Sequence, residues 1–157
     1  MVGFIGSNTT AKTTSTKLSY DASTGAMRIQ ALLERSTISA TAATGTINFD
    51  AATQSVLYYT SNATANWTLN VRASATVSLN TMMAINDSLT IAFLVTTGAS
   101  AFYATAFEID GVSITPKWEG GSAPSSGNTN SIEVYTYSIM KTASATFTVL
   151  ASRTKFA

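Results

Sequence analysis

The stretch Trp67-Thr68-Leu69-Asn70-Val71-Arg72 alternates apolar and polar side chains without a break. Only an extended strand sends successive side chains to opposite faces, so this pattern commits the segment to a strand with one buried face. Much of the chain from Ser36 onward repeats the signal. Ile38, Ala40 and Ala42 alternate with Ser and Thr, Ile47 and Phe49 follow Gly45, and QSVLYYT is rich in β-formers. Val77 and Leu79 suggest a short strand. SLTIAFLVT, from Ser88, reads as a strand buried on both faces. FYATAFEID, an Asp110-Gly111 turn and VSIT read as a hairpin, and Pro116 ends its second strand or places it at an edge. IEVYTYSIM and SATFTVLAS close the chain as two more strands. Helix is confined to one turn in NTMMAIND, with Asn80 or Thr81 as its cap and a break at Asn86-Asp87.

Eight or nine strands with short connections predict an all-β fold: an antiparallel, jelly-roll-like β-sandwich, with a partly closed barrel as the alternative. No repeat of fixed period is visible. The alternating positions name a core of Trp67, Leu69, Val71, Leu89, Ile91, Phe93, Val134, Phe147 and Val149. A chain of 157 residues suits one such domain, which can bury roughly 70% of its unfolded surface.

Residues 1–35 differ from the rest. Gly3-Phe4-Ile5-Gly6 is a small apolar knot, and SNTTAKTTSTK has no period and reads as an extended arm. KLSYDASTGAMRIQ offers a hairpin, and ALLER is helix-like but too short to stand alone. The division is therefore an N-terminal arm with a small hairpin, residues 1–35, and a β-sandwich domain, residues 36–157. Phe4, Ile5, Lys12 and Lys17 are the arm's candidate attachment residues.

Composition narrows the chemistry. There is no His and no Cys, which removes the commonest general base and the commonest nucleophile–base pairs. Charged residues make up 11% of the chain and the net charge is +1, too little for a nucleic-acid footprint. Thr, Ser, Ala and Asn fill that space, as on a surface that meets other protein. No signal peptide or membrane-length apolar run is visible. Of the eight acids, Glu108 and Asp110 come nearest to a catalytic pair, since residues two apart share a strand face. The plainer reading makes Glu108 a solvated strand residue and Asp110 the first residue of a tight turn. Asp110 with Glu119 lacks the spacing of a known calcium loop. Neither catalysis, metal nor cofactor is expected. The sequons at Asn8, Asn62, Asn66 and Asn86 are expected by chance in so Asn-, Ser- and Thr-rich a chain.

Trp118 precedes the loop Glu119 to Ser131. It reads as a plug at one end of the sandwich or as a stacking surface for a sugar or a partner. In the second case Trp118, Glu119, Asn128 and Asn130 form the contact set.

Three stretches, GTINFDAATQSVLYYTSNATANWTLNVR, LNTMMAINDSLTIAFLVTTG and FEIDGVSITPKWEGGSAPSSGNTNSIEVYTYSIMKTASATFTVLASRTKF, together resemble a domain that recurs in structural proteins of marine tailed phages, cyanophages above all. The resemblance spans about residues 36 to 157. It implies a virion structural protein without catalysis, made in the host bacterial cytoplasm. On this expectation the chain decorates or cements the capsid, or sits at its surface as a head fibre or neck protein, anchored by its arm. Its partners would be other capsid, neck or tail subunits and copies of itself, as a trimer by the habit of phage fibres. The alternative is a small tail fibre or receptor-binding tip that contacts a host surface glycan. A free carbohydrate-binding module stands behind both.

Overall fold

The computed structural model describes residues 18–21 and 23–156. The chain divides into two units between Leu33 and Glu34. In the first, β1 (Leu18–Asp21) pairs antiparallel with β2 (Ala26–Ile29), with Leu18 opposite Ile29. The Asp21 carboxylate accepts hydrogen bonds from the Ser23 hydroxyl at 2.7 Å and the Ser23 amide at 2.9 Å, which hold its pKa below the usual value. The segment 31–35 is not helical.

The second unit holds two sheets. β3 (Ser36–Ala42), β5 (Val56–Asn62), β7 (Ser88–Thr97), β10 (Lys117–Trp118), β11 (Ser131–Ala143) and β12 (Thr146–Phe156) form a six-stranded sheet in the order β10-β12-β11-β7-β5-β3. β4 (Gly45–Asp50), β6 (Trp67–Arg72), β8 (Ala104–Ile109) and β9 (Val112–Ile114) form a four-stranded sheet in chain order.

The antiparallel jelly roll expected from the sequence is wrong, because both sheets are mixed. From β3 to β8 the chain alternates strictly between the sheets. Three successive turns of chain therefore stack, and like strands pair in parallel: Ser36 lies opposite Val56, and Val56 opposite Ala92. In the other sheet Gly45 lies opposite Trp67, and Trp67 opposite Ala104. Parallel neighbours need a long crossover, and here each crossover is a strand of the facing sheet. This is solenoid logic, in which each turn is stabilised by the next. The antiparallel strands come later: β11 runs back beside β7, β12 beside β11, and β9 beside β8. Two-residue alternation reports which side chains face inward, but it is identical for parallel and antiparallel partners. The turns are also unequal, since equivalent positions fall at 36, 56 and 92, so no fixed period shows.

The extra length of the second turn is an excursion after β6 that carries α1 (Leu79–Met82). Ser78, not Asn80 or Thr81, caps it, accepting from the Thr81 amide at 3.0 Å. Leu79 is buried in this helix, so Val77 and Leu79 form no strand. Two charged side chains clamp the excursion. The Asp110 carboxylate accepts from the amides of Leu79 at 2.6 Å and Asn80 at 2.9 Å, the end of a helix that favours an anion. Lys141 Nζ, nearly buried, donates to the carbonyls of Asn80 at 2.5 Å and Met83 at 2.8 Å. Asp110 and Gly111 both have positive φ, 53° and 77°, as a two-residue hairpin turn of the primed kind requires.

The core lies between the two sheets. Trp67, Leu69, Val71, Ile91, Phe93 and Val149 are buried in it, and Leu89 and Phe147 pack half-buried against it. Val134 is the misassigned residue. The inward positions of β11 are Ser131, Glu133, Tyr135, Tyr137, Ile139 and Lys141, which leaves Val134 on the outer face. Glu133 and Lys141 bracket that inward row and made the opposite phase the more apolar reading at the strand's start. SLTIAFLVT likewise buries one face, not two.

Candidate functional site

Pro116 and the turn after it set up an apolar cleft in the β domain. β9 ends at Ile114, and the chain crosses to lay Lys117 and Trp118 in parallel beside Leu150 and Ala151. A 3-10 turn, Glu119–Gly121, follows, with Gly120 and Gly121 at φ 74° and 81°. This route leaves a cleft of about 200 Å³ between β8–β9 and the returning loop, lined chiefly by Phe107, Ile114, Pro116, Trp118, Pro124 and Tyr137.

Its floor is an aromatic cluster. Tyr137 stacks on Phe107 with centroids 4.4 Å apart, and Trp118 meets Tyr137 and Tyr135 edge to face at 6.1 and 6.4 Å. Trp67 continues the cluster, 5.9 Å from Tyr135 and 6.1 Å from Phe93, and Tyr59 meets Phe93 at 5.5 Å. The Tyr137 hydroxyl and the Trp67 indole N–H are buried without a hydrogen-bond partner. Burial pushes the Tyr137 phenol well above its usual pKa, with the charge of Tyr135 adding to the shift.

Beside the cluster lies a closed polar node. Glu133 is fully buried. Its Oε1 accepts from the Asn128 amide at 2.5 Å and from Asn128 Nδ2 at 2.7 Å, and its Oε2 accepts from the Tyr135 hydroxyl at 2.7 Å. Arg153 Nη1 stands 3.7 Å from Oε1 and donates to the Ser126 carbonyl at 2.5 Å. Burial, then the hydrogen bond to Glu133 and its charge, raise the Tyr135 pKa far above normal. The node ties the loop before β11 to the sheet beneath it. Gly127 sits in that loop because a Cβ there would fall on the backbone carbonyl of Phe102.

The proposed contact residues are thus scattered in role. Trp118 is half-buried and edges the cleft, and Glu119 is exposed beside it. Asn128 spends its side-chain donor on Glu133. Asn130 is exposed, holds φ 49°, and donates its backbone N–H to the Gly98 carbonyl at 2.8 Å. Phe4, Ile5, Lys12 and Lys17 lie outside the described residues. Glu108 sits on the outer face of β8 opposite Asn70 and Ser113, and Asp110 is engaged by α1. Among the described residues no three acids come together as a metal site would need. Sequence reasoning missed Glu133, Tyr135, Tyr137 and Lys141. Their signal was present: all four fall at odd positions of one thirteen-residue strand.

No family model matches the chain, and neither a curated protein nor a solved structure matches it.

Proposed function

We propose that the chain is a structural subunit of a tailed-phage particle, displayed at the capsid surface as a decoration, head-fibre or neck component and attached through its first 35 residues. The observation that supports this reading most is the use made of the carboxylates. Asp50 pairs with Arg72 at 2.6 Å, and Asp87 accepts from the Ala84 amide at 2.8 Å. Glu34 accepts from the Ser55 hydroxyl at 2.8 Å, Asp110 holds the start of α1, and Glu133 holds the loop before β11. Acids spent on fixing backbone and loops suit a scaffold; a hydrolase needs two of them free and facing one cleft. The low charge and the resemblance of residues 36–157 to virion proteins point the same way.

Copy number per purified particle tests the proposal. Hundreds of copies fit the capsid, and a few to tens fit the neck or tail. Absence from purified particles refutes it. The purified protein is expected to leave host polysaccharide intact, and depolymerisation that disappears in Glu108→Gln would make it an enzyme.

The cleft beside Trp118 favours one second reading, a receptor-binding tip that contacts a host glycan. Binding on a glycan array that is lost in Trp118→Ala would move the proposal there.

A further inference from the structure

The two sheets differ on their outer faces. That of the four-stranded sheet is polar and charged, with Asn48 bonded to Asn70 at 2.8 Å, Asp50 paired with Arg72, and Glu108 beside them. The outer face of the six-stranded sheet is the reverse. Register fixes its members: Ile38 lies opposite Tyr58, Tyr58 opposite Leu94, and Leu94 opposite Val134. Ile132 and Phe156 lie opposite one another one position along. Between these stand only Ser, Thr, Ala, Asn, Val, Met and Leu. Across β3, β5, β7, β11 and β12 this face carries no charged side chain, and its one charge is Lys117 of the edge strand β10, opposite Leu150 at the rim. Ile38 is 69% exposed, Phe156 55% and Leu150 46%. β7 reads in sequence as a strand buried on both faces, yet only one of its faces is covered within the domain.

We infer that this face is where copies of the chain associate. A face uncharged at its centre offers nothing there to a charged partner, and depletion of charge is the mark of an interface centre. Its size fits as well. β7, β11 and β12 pair over ten or more residues and β3 and β5 are seven residues long; at about 4.8 Å between strands and about 3.4 Å per residue they give a face on the order of 700 Å². A standard interface needs roughly 800 Å² from each partner. A face uncharged across its five central and flanking strands, with Lys117 only at its rim, opposes its own copy without repulsion at the centre, and Ser and Thr rows such as Thr90 and Ser138, 3.3 Å apart, leave it flat enough for sheet-on-sheet packing. The inference names a partner for the proposed structural subunit but does not require the particle.

The test is sedimentation of the full-length protein. The native chain is expected to run as an oligomer at micromolar concentration. Leu94→Lys with Val134→Lys places like charges at the centre of the face, and should raise the dissociation constant more than about 100-fold. Unchanged circular dichroism and melting of the dissociated variant would show that the fold survives. Val112→Lys, on the four-stranded sheet and 63% exposed in the native chain, should remain oligomeric. A native chain that stays monomeric up to about 100 μM overturns the inference, as does a double variant that still associates. A monomer whose melting drops sharply with the two lysines would mean that the chain covers this face itself, which also overturns it. None of these outcomes bears on whether the protein is found in particles, so the two proposals fail separately.

Discussion

Replacing Glu133 by Ala removes an acceptor shared by three hydrogen bonds and an ion pair. The Asn128 amide, Asn128 Nδ2 and the Tyr135 hydroxyl all lose their partner, and Arg153 loses its counter-charge. Asn128 is half-buried and can turn to water, but Tyr135 is fully buried and cannot. Breaking a buried charged pair from one side costs about 3–5 kcal/mol, because the partners stay behind unpaired. The unit Glu34–Ala157 has roughly 120 residues. At about 2.1 cal/mol/K per residue its unfolding entropy is ~0.25 kcal/mol/K, so the melting temperature should fall by about 12–20 °C. Glu133→Gln provides the contrast. Its amide oxygen still serves Asn128, and the Tyr135 hydroxyl can turn to accept from the amide nitrogen, so the loss should be nearer 1–2 kcal/mol. Urea unfolding of the three proteins at neutral pH gives both numbers. An Ala variant within about 1 kcal/mol of the native protein, or a Gln variant as damaged as Ala, would refute the idea that Glu133 holds the loop.

Other outcomes follow from the same packing. Trp67→Ala should cost about 3–5 kcal/mol in two-state unfolding, since the ring is buried between Phe93 and Tyr135; a loss below about 1 kcal/mol would contradict its place in the core. Lys141→Met leaves the Asn80 and Met83 carbonyls without their donor and should speed amide exchange across 78–87, whereas unchanged exchange there would remove the clamp role. Gly127→Ala should destabilise by more than about 1 kcal/mol because its Cβ meets backbone. Tyr135 and Tyr137 titrate above their ordinary value of 10.0 in the folded state, so the unfolded chain releases those protons first. Stability should hold below pH 10 and fall above it by up to about 1.4 kcal/mol per pH unit for each phenol, with phenolate absorbance appearing only on unfolding. Deleting residues 1–17 should leave a folded domain that no longer joins particles; normal occupancy would dismiss the attachment role.

The sequence by itself determined most of the strand segments, though not β10 and not the helix at Leu79, and for most of those strands which side chains point inward. Trp67, Leu69 and Val71 could face only one way, because a strand's side-chain period is two whatever its neighbours. It also determined the tight turn at Asp110-Gly111, a local matter of positive φ. The tertiary structure alone decided which strand lies beside which. The parallel stacking of β3, β5 and β7 depends on backbone hydrogen bonds between residues far apart in sequence, and these leave no trace in side-chain alternation. It also decided the fate of the charges. Glu133 and Lys141 look like surface residues until Asn128, Tyr135 and the carbonyls of α1 arrive from elsewhere to satisfy them. For the same reason the phase of β11 misled: Val134 is as apolar as a core residue should be, and the inward row is bracketed by charges whose burial only distant partners make affordable.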